Sequence, residues 1–272
     1  MANVAHRGAS ATQPENTLSA IRSAIALGVD LIELDVQRTR DGALVLMHDT
    51  TLVRTTNVQQ VFPNRGPWRV ADLTFDELAR LDAGGWKSRG FAGEPVPTLD
   101  EALEVIRNSS SGLLLELKAP ERYPGIVSDV VSTMRGIPGY VESAAAQRRL
   151  VVQSFNVAAM KDHKTQAPAV PVGLLGTPAV ANLPVLASWA DQVNPNHLKV
   201  DQAYVDRVHR LGMECLVWTV DWGPAMRRVL GLGVDGVITN RPDHLAQLLA
   251  RSARPARSSR SRERRARWAA SL

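Results

Sequence analysis

Short apolar segments alternate with segments of helical periodicity along most of the chain. Strand-like runs occupy residues 4–6, 31–37, 44–47, 113–117, 150–152, 170–174, 192–193, 215–220 and 236–238. Helical patterns separate most of them, at residues 16–27, 99–107, 126–134, 157–164, 203–211, 224–232 and 244–250. Continuously apolar strands that alternate with helices are typical of a parallel sheet, and about eight such units favour closure into a barrel. The predicted fold is therefore an α/β protein, a (β/α)8 TIM barrel.

One long segment interrupts this alternation after the second predicted strand. The chain has 272 residues, and a barrel of this class takes ~250, so residues 1–250 are assigned to one domain. Residues 49–98 are rich in Pro and Gly, and loops of this length are uncommon without a functional cause. In a barrel this segment would rise from the carboxyl end of strand two, on the catalytic face, so we expect an insertion with a functional role. The alternative is a loop that only stabilises the barrel.

Positive charge is concentrated at the carboxyl terminus. The chain holds 32 Lys and Arg against 27 Asp and Glu, a formal net charge of +5. Residues 251–272 contain eight of the Arg and one of the acids, which leaves 24 basic and 26 acidic residues in 1–250. We expect a disordered tail, because it has too few large apolar groups to offset the entropy of ordering. Two interpretations of this tail are equally supported. It makes weak contact with an anionic membrane or nucleic acid, or it has no role.

The first residues and the hydropathy favour a cytoplasmic protein. The chain reaches His6 almost at once, which leaves no room for a signal segment, and no apolar run has the ~18 residues of a membrane span. The lone Cys215 excludes an internal disulfide and is predicted to be a small buried hydrophobe. No feature of the sequence predicts an obligate protein partner.

Charged side chains interrupt two of the apolar strands. Glu33 and Asp35 alternate with apolar residues on one, and Glu116 and Lys118 do so on a later one. Because successive side chains of a strand point to opposite faces, each pair shares a face. Burying three carboxylates is costly unless a cation or mutual pairing compensates them, and an oxygen-only set suits Mg²⁺ or Ca²⁺. A buried ion-pair network with Arg7 and Lys118 is the alternative.

Seven short motifs follow one another through the chain. They are His6-Arg7-Gly8, Pro14-Glu15-Asn16-Thr17, Glu33-Leu34-Asp35, His48-Asp49, Glu116-Leu117-Lys118, Trp218-Thr219-Val220 and Gly236-Val237-Ile238-Thr239-Asn240-Arg241-Pro242. In this order and spacing they resemble the glycerophosphodiester phosphodiesterase family, over residues 4–249. The resemblance implies a metal-dependent enzyme that hydrolyses small glycerophosphodiesters, which are deacylated phospholipids, to sn-glycerol 3-phosphate and an alcohol. It also implies that residues 49–98 are the family's insertion, which covers the active-site mouth.

The resemblance also implies a mechanism and roles for individual residues. The glycerol 2-hydroxyl of the substrate attacks phosphorus and expels the alcohol, and water then opens the cyclic phosphate. The residue types suit this chemistry, since histidines transfer protons near neutral pH and Arg and Lys neutralise phosphoryl charge. The implied roles are acid-base catalysis for His6 and His48, binding of one Mg²⁺ or Ca²⁺ for Glu33, Asp35 and Glu116, and phosphate binding for Arg7 and Lys118.

Other polar and aromatic residues have less specific assignments. Gln153 stands at a predicted strand end, where it contacts either the ligand or backbone groups, and Trp218 is either a wall of the glycerol pocket or part of the core. We expect Glu15 and Asn16 to cap the first helix and to brace the mouth, and Asp235 and Asn240 to fix turns rather than touch substrate. The remaining histidines are predicted to be solvated; they are His163, His197, His209 and His244.

Two rival functions stay open on the sequence alone. A lysophospholipase D would use the same site and would need an apolar channel for one acyl chain. Aromatic residues of segment 49–98 would line such a channel or would form a small core of their own; they are Phe62, Trp68, Trp86 and Phe91. A non-enzymatic barrel, tethered to polyanions by the tail, would need none of the catalytic set. The sequence decides neither the head group, nor the metal, nor the oligomeric state.

Overall fold

A sheet of nine strands closes into a barrel in the computed structural model, which describes residues 1–253. The strands are β1 (Ala2–His6), β2 (Leu31–Arg38), β3 (Leu44–Leu46), β4 (Gly112–Leu117), β5 (Leu150–Ser154), β6 (Val172–Leu175), β7 (Gln192–Asn194), β8 (Glu214–Val217) and β9 (Gly236–Thr239). All neighbours are parallel except β2 and β3, and β1 pairs with both β2 and β9. Eight parallel strands therefore close on themselves, which confirms the predicted (β/α)8 barrel.

Helices cover the outside of the barrel. Within the described residues they are α1 (Leu18–Ala26), α2 (Val58–Val61), α3 (Phe75–Leu78), α4 (Leu99–Arg107), α5 (Ile126–Arg135), α6 (Tyr140–Ala146), α7 (Val157–Gln166), α8 (Leu183–Leu186), α9 (Gln202–Arg210), α10 (Gly223–Gly231) and α11 (Pro242–Ala253). In residues 1–253, no helix is both long and apolar enough to cross a membrane. Helix α11 runs three residues past the predicted end of the barrel at 250, and the predicted tail from 254 onward lies outside the described residues.

Apolar side chains form two layers, one inside the barrel and one between its strands and helices. Leu113 and Leu115 of β4 pack outward, whereas Leu114 packs in the barrel interior with residues of the other strands. Each fully buried Leu contributes about 1.5–3 kcal/mol through removal of apolar surface from water. Cys215 is fully buried in the outer layer, as predicted. Apolar residues thus fill the barrel, and its carboxyl-terminal edge is left for polar side chains.

Residues 49–98 build a small apolar core beside the barrel, to which Val45 and Met47 also contribute. Phe62 and Trp68 pack against this core rather than into a channel. Glu94 accepts hydrogen bonds from the backbone N–H and the hydroxyl of Ser19, at 3.0 and 2.8 Å, which attaches the segment to the start of α1. The buried apolar side chains of the core include Val45, Met47, Leu52, Val58, Val70, Leu73, Leu78, Leu81 and Val96.

Candidate active site

Three buried carboxylates meet inside the barrel, level with the carboxyl end of β1. The register aligns Glu33 of β2 with His6 at the end of β1, and aligns Asp35 with Glu116 of β4. One carboxylate oxygen of each acid lies within 4.8 Å of the others. Glu33 Oε1 and Asp35 Oδ1 are buried and have no hydrogen-bond partner. The structure therefore brings the predicted acidic set together, with oxygens left available to a ligand.

The electrostatics of this cluster favour a bound cation. Burial, followed by the charges of Asp35 and Glu116, raises the pKa of Glu33 well above its usual range. Burial likewise raises the pKa of Glu116 to about 7. Burial also acts to raise the pKa of Asp35, but Arg7 and Lys118 outweigh it and lower that pKa. The raised pKa values of Glu33 and Glu116 mean that the two basic side chains do not compensate all three carboxylates, and oxygen ligands in such a site fit Mg²⁺ or Ca²⁺.

Two basic side chains border the carboxylates. Arg7 Nε lies 3.3 Å from Asp35 Oδ2, and Lys118 Nζ donates to Glu116 Oε1 at 2.7 Å. Lys118 Nζ is also 3.6 Å from Asp35 Oδ1. The ion-pair network that the sequence left as an alternative is thus present, but it does not supply hydrogen bonds to every buried carboxylate oxygen.

A sharp turn at the end of β1 directs Arg7 to this cluster. The backbone N–H of Arg7 donates to Glu33 Oε2 at 2.9 Å, with Arg7 in the left-handed region at φ 55°. Gly8 follows at φ 81°, and a Cβ there would lie 2.6 Å from Ala20 of α1. A side chain at position 8 would therefore push α1 away from the turn and disturb the site.

A hydrogen-bond chain from the end of β9 holds His6. Its Nδ1 lies 2.7 Å from Asn240 Oδ1, and the Asn240 amide donates to Asp221 Oδ2 at 2.6 Å. Because the Asn240 amide nitrogen donates to Asp221, the oxygen of Asn240 faces His6, and Nδ1 is the donor. Burial, followed by the charge of Arg7, lowers the pKa of His6 to about 4. The ring is neutral at neutral pH, with Nε2 free and 3.9 Å from Glu33 Oε2.

His48 has a different partner, a carboxylate that is itself fixed by arginine. His48 Nδ1 lies 2.6 Å from Asp49 Oδ1, and Arg54 Nε donates to Asp49 Oδ2 at 2.6 Å. Although burial opposes it, hydrogen bonds from Arg54 and then His48 lower the pKa of Asp49 to about 2. Arg54 also donates to Glu15, which accepts from Arg7 as well, so the two sides of the mouth are linked.

All of the predicted site residues except Asp35 line one cavity of about 150 Å³. Gln153 is buried and accepts from the Asn194 amide at 2.8 Å, while Trp218 Nε1 donates to the Asn194 carbonyl oxygen at 2.6 Å. Phe155 packs edge-to-face on Trp218, with ring centroids 5.7 Å apart. One wall is polar and the other apolar; the lining residues are His6, Arg7, Glu33, His48, Glu116, Lys118, Gln153, Phe155, Leu175, Trp218, Thr219 and Ile238.

Sequence reasoning missed some of the residues that support this site. Glu15 and Asn16 were expected to cap α1 and to brace the mouth, but Thr17 caps the helix. Asn16 donates to Asp35 Oδ2 at 2.8 Å, and Glu15 accepts from Arg7 and Arg54 instead. Asn240 was expected to fix a turn and proves to contact His6 from 234 positions away in sequence. Both asparagines lie in motifs that the sequence singled out, yet nothing local to them reveals the partner.

One histidine prediction is wrong. His163 was expected to be solvated because it lies on a helix, but its side chain is fully buried on α7, and neither ring nitrogen has a hydrogen-bond partner. Burial, followed by the charge of Lys164, lowers its pKa to about 4. The hydrophobic pattern of α7 is weak, so the sequence does not identify its buried face. His209, by contrast, is half exposed and pairs with Asp235 at 2.8 Å.

Comparison with known proteins identifies the family. Residues 6–244 match the model of the Glycerophosphoryl diester phosphodiesterase family. The chain belongs to this family. It is 35% identical over 249 residues to the glycerophosphodiester phosphodiesterase of Caldanaerobacter subterraneus subsp. tengcongensis, a match that covers 90% of this chain and 96% of that one. It is 32% identical over 254 residues to a glycerophosphodiester phosphodiesterase of Bacillus subtilis, covering 88% and 83% of the two chains.

Solved structures share the fold. A phosphodiesterase of Oleispira antarctica, in complex with the product sn-glycerol-3-phosphate, superposes with a TM-score of 0.81 at 27% identity, over 91% of this chain and 96% of that one. A glycerophosphodiester phosphodiesterase of Agrobacterium tumefaciens superposes with a TM-score of 0.69 at 29% identity, over 90% of this chain and 98% of that one. The chain is thus a phosphodiester hydrolase, as the resemblance implied, and the non-enzymatic alternative is wrong.

Proposed function

We propose that this chain hydrolyses small, deacylated glycerophosphodiesters to sn-glycerol 3-phosphate and an alcohol, with one Mg²⁺ or Ca²⁺. The observation that carries the proposal is the buried set of Glu33, Asp35 and Glu116, whose carboxylate oxygens converge without protein partners for all of them. The relative from Oleispira antarctica, solved with sn-glycerol-3-phosphate, supports a substrate of this class. The small cavity also suits a compact, polar substrate.

The three carboxylates would hold the cation, and Arg7 and Lys118 would hold the phosphoryl group beside it. A bound divalent cation supplies charge neutralisation at the phosphoryl oxygens and helps to orient them. Arg7 presents a planar guanidinium fork and Lys118 a compact ammonium, so together they can fix one orientation of the phosphoryl group. Fixed charges of this kind stabilise the transition state because they need no reorganisation during the reaction.

His6 is proposed as the first general base. Its Nδ1–H is committed to Asn240, and the neutral ring keeps a lone pair on Nε2, which accepts the proton of the glycerol 2-hydroxyl as this oxygen attacks phosphorus. His48 is proposed as the first general acid. Its Nδ1 faces the Asp49 carboxylate, which compensates the charge of a protonated ring, so Nε2–H can be donated to the departing alcohol oxygen. The two roles reverse when water opens the cyclic phosphate.

The experiment that tests this function is turnover of glycerophosphocholine before and after exhaustive chelation, with Mg²⁺ or Ca²⁺ added back. We expect activity to be lost and then restored. Glu33→Gln should lower metal affinity, measured by titration calorimetry, while the fold is retained. Glu104→Gln on the exposed face of α4 is the matched control and should behave as the native chain does. Full turnover after chelation would contradict the proposal.

A lysophospholipase D activity on the same site is the second candidate. The apolar wall of the cavity favours it, because Phe155, Leu175 and Ile238 can contact an alkyl group. The channel expected from residues 49–98 does not support it, since Phe62 and Trp68 pack in that segment's own core. Comparing the turnover of glycerophosphocholine and lysophosphatidylcholine separates the two activities.

Segment 49–98 is proposed to border the mouth and to influence which alcohol head group is accepted. Lys87 Nζ donates to the Ser10 carbonyl oxygen at 2.8 Å, and Arg54 joins Asp49 to Glu15, so the segment is anchored to the loop after β1. For residues 251–272, weak contact with anionic membranes or nucleic acid stays a proposal that rests on charge alone. The cytoplasm stays the predicted compartment.

A further inference from the structure

Exposed apolar side chains are concentrated on one half of the rim around the cavity mouth. The loops that follow β5, β6, β7 and β8 lie side by side, because these strands are consecutive neighbours in the barrel. Each loop carries one of four apolar side chains, which we call the apolar rim. Their exposed fractions are 55% for Phe155, 51% for Val180, 77% for Leu198 and 71% for Trp222.

The same loops carry almost no charge. The loops between these strands and the helices that follow are residues 155–156, 176–182, 195–201 and 218–222, and their only charged residues are Lys199, Asp201 and Asp221. Asp221 is committed to the amide and the backbone N–H of Asn240, whereas Lys199 is exposed. Segment 49–98 contains twelve charged residues, so the two sides of the mouth differ sharply in polarity.

The apolar rim continues from the apolar wall of the cavity. Phe155 belongs to both, and the backbone N–H of His197 donates to the Trp218 carbonyl oxygen at 3.0 Å, which fixes the Leu198 loop beside Trp218. A groove leads outward from this loop between Val180 and Leu198, along α9. It is bordered by Lys199, Arg207 and Arg210 and by the acid Asp201, whose side chain caps α9.

We propose that the apolar rim docks on an anionic lipid surface. Aromatic and Leu side chains flanked by cations are the groups that an anionic membrane interface accommodates, since it offers an apolar layer beneath negative head groups. Docking would set the mouth of the cavity against the lipid, where an amphiphilic glycerophosphodiester, the substrate of the second candidate activity, could enter without leaving the interface. In this last respect alone the inference rests on that second candidate activity at the proposed site.

The rim is distinct from the basic tail. Leu249 of α11 lines the same surface cavity as Met1, which precedes β1, so α11 ends at the opposite end of the barrel from the mouth. The described part of the chain therefore ends away from the apolar rim. Salt distinguishes the two contacts, because binding by an Arg-rich segment falls steeply with ionic strength and apolar insertion does not.

The test is cosedimentation of the full chain with vesicles of equimolar phosphatidylcholine and phosphatidylglycerol, at low and at high salt. We expect binding that persists at high salt. The double substitution Leu198→Ser and Trp222→Ser should weaken it by roughly a hundredfold, about tenfold for each lost side chain. Leu27→Ser removes an exposed Leu at the other end of the barrel, 42% exposed, and should leave binding unchanged.

Activity provides a second readout that separates this inference from the proposed function. The double variant should turn over soluble glycerophosphocholine as the native chain does, because neither side chain lines the cavity. Vesicle binding that vanishes at high salt, or that is equal in both proteins, would overturn the inference while the proposed function stands. A dimer by light scattering that the double substitution makes monomeric, with vesicle binding unchanged, would identify the rim as a contact between copies and would also overturn it.

Discussion

Replacement of the buried His163 should change how the stability of this protein depends on pH. The ring is fully buried with both nitrogens unpartnered, and its pKa is lowered from 6.5 in the unfolded chain to about 4. The unfolded state therefore binds a proton that the folded state rejects. This penalty is absent well above pH 6.5, grows as the pH falls towards 4, and is complete below it.

The size of the effect follows from the two pKa values. One pKa unit corresponds to about 1.4 kcal/mol, so moving from about pH 8 to about pH 5 should cost the native chain about 2 kcal/mol through this group alone. His163→Met cannot titrate and fills a similar volume. It also removes two unsatisfied nitrogens, so it should gain about 1–3 kcal/mol at neutral pH.

Urea unfolding at a series of pH values measures both effects. The free energy of unfolding of His163→Met, minus that of the native chain, should grow by about 2 kcal/mol between about pH 8 and pH 5. His163→Gln is the matched control, because it abolishes the titration but keeps a buried polar group; it should flatten the pH dependence without the gain at neutral pH. Parallel pH profiles for the native chain and both variants would refute the argument.

Three further predictions concern the site. His6→Ala and His48→Ala should each lower turnover of glycerophosphocholine by roughly 10²–10⁴ with the fold intact by circular dichroism, and native rates in both would show that neither transfers a proton. Asn240→Ala should lower kcat roughly a hundredfold with KM little changed, and should shift the His6 ring away from the Nδ1–H tautomer in nitrogen NMR spectra; an unchanged tautomer would contradict the positioning role. Trp86→Ala should alter the ranking of alcohol head groups more than it alters the metal requirement, and equal slowing of all substrates would mean that segment 49–98 is scaffold.

The pattern of the sequence was sufficient to predict the barrel and to predict which side chains share a face of each strand. Alternation along β2 puts Glu33 and Asp35 on one face, and the same rule puts Glu116 and Lys118 together on β4. The number of strand-helix units favours closure, because a parallel sheet must be covered by helices and a sheet of eight can close on itself. These inferences succeed because they depend on neighbouring residues and on the period of the chain.

The partners of the proposed catalytic groups were decided by the tertiary structure alone. Closure of the barrel brings β9 beside β1, and only then does Asn240 contact His6 and select its tautomer. Closure likewise brings four loops side by side and so forms the apolar rim. Each loop contributes a single exposed apolar side chain, and a single such residue predicts no surface by itself. His163 is buried because of how α7 packs, not because of its own helical pattern. The period of a sequence predicts which face of a helix or strand a side chain occupies. The residues that this side chain contacts belong to elements that are distant in the chain and that only packing brings close.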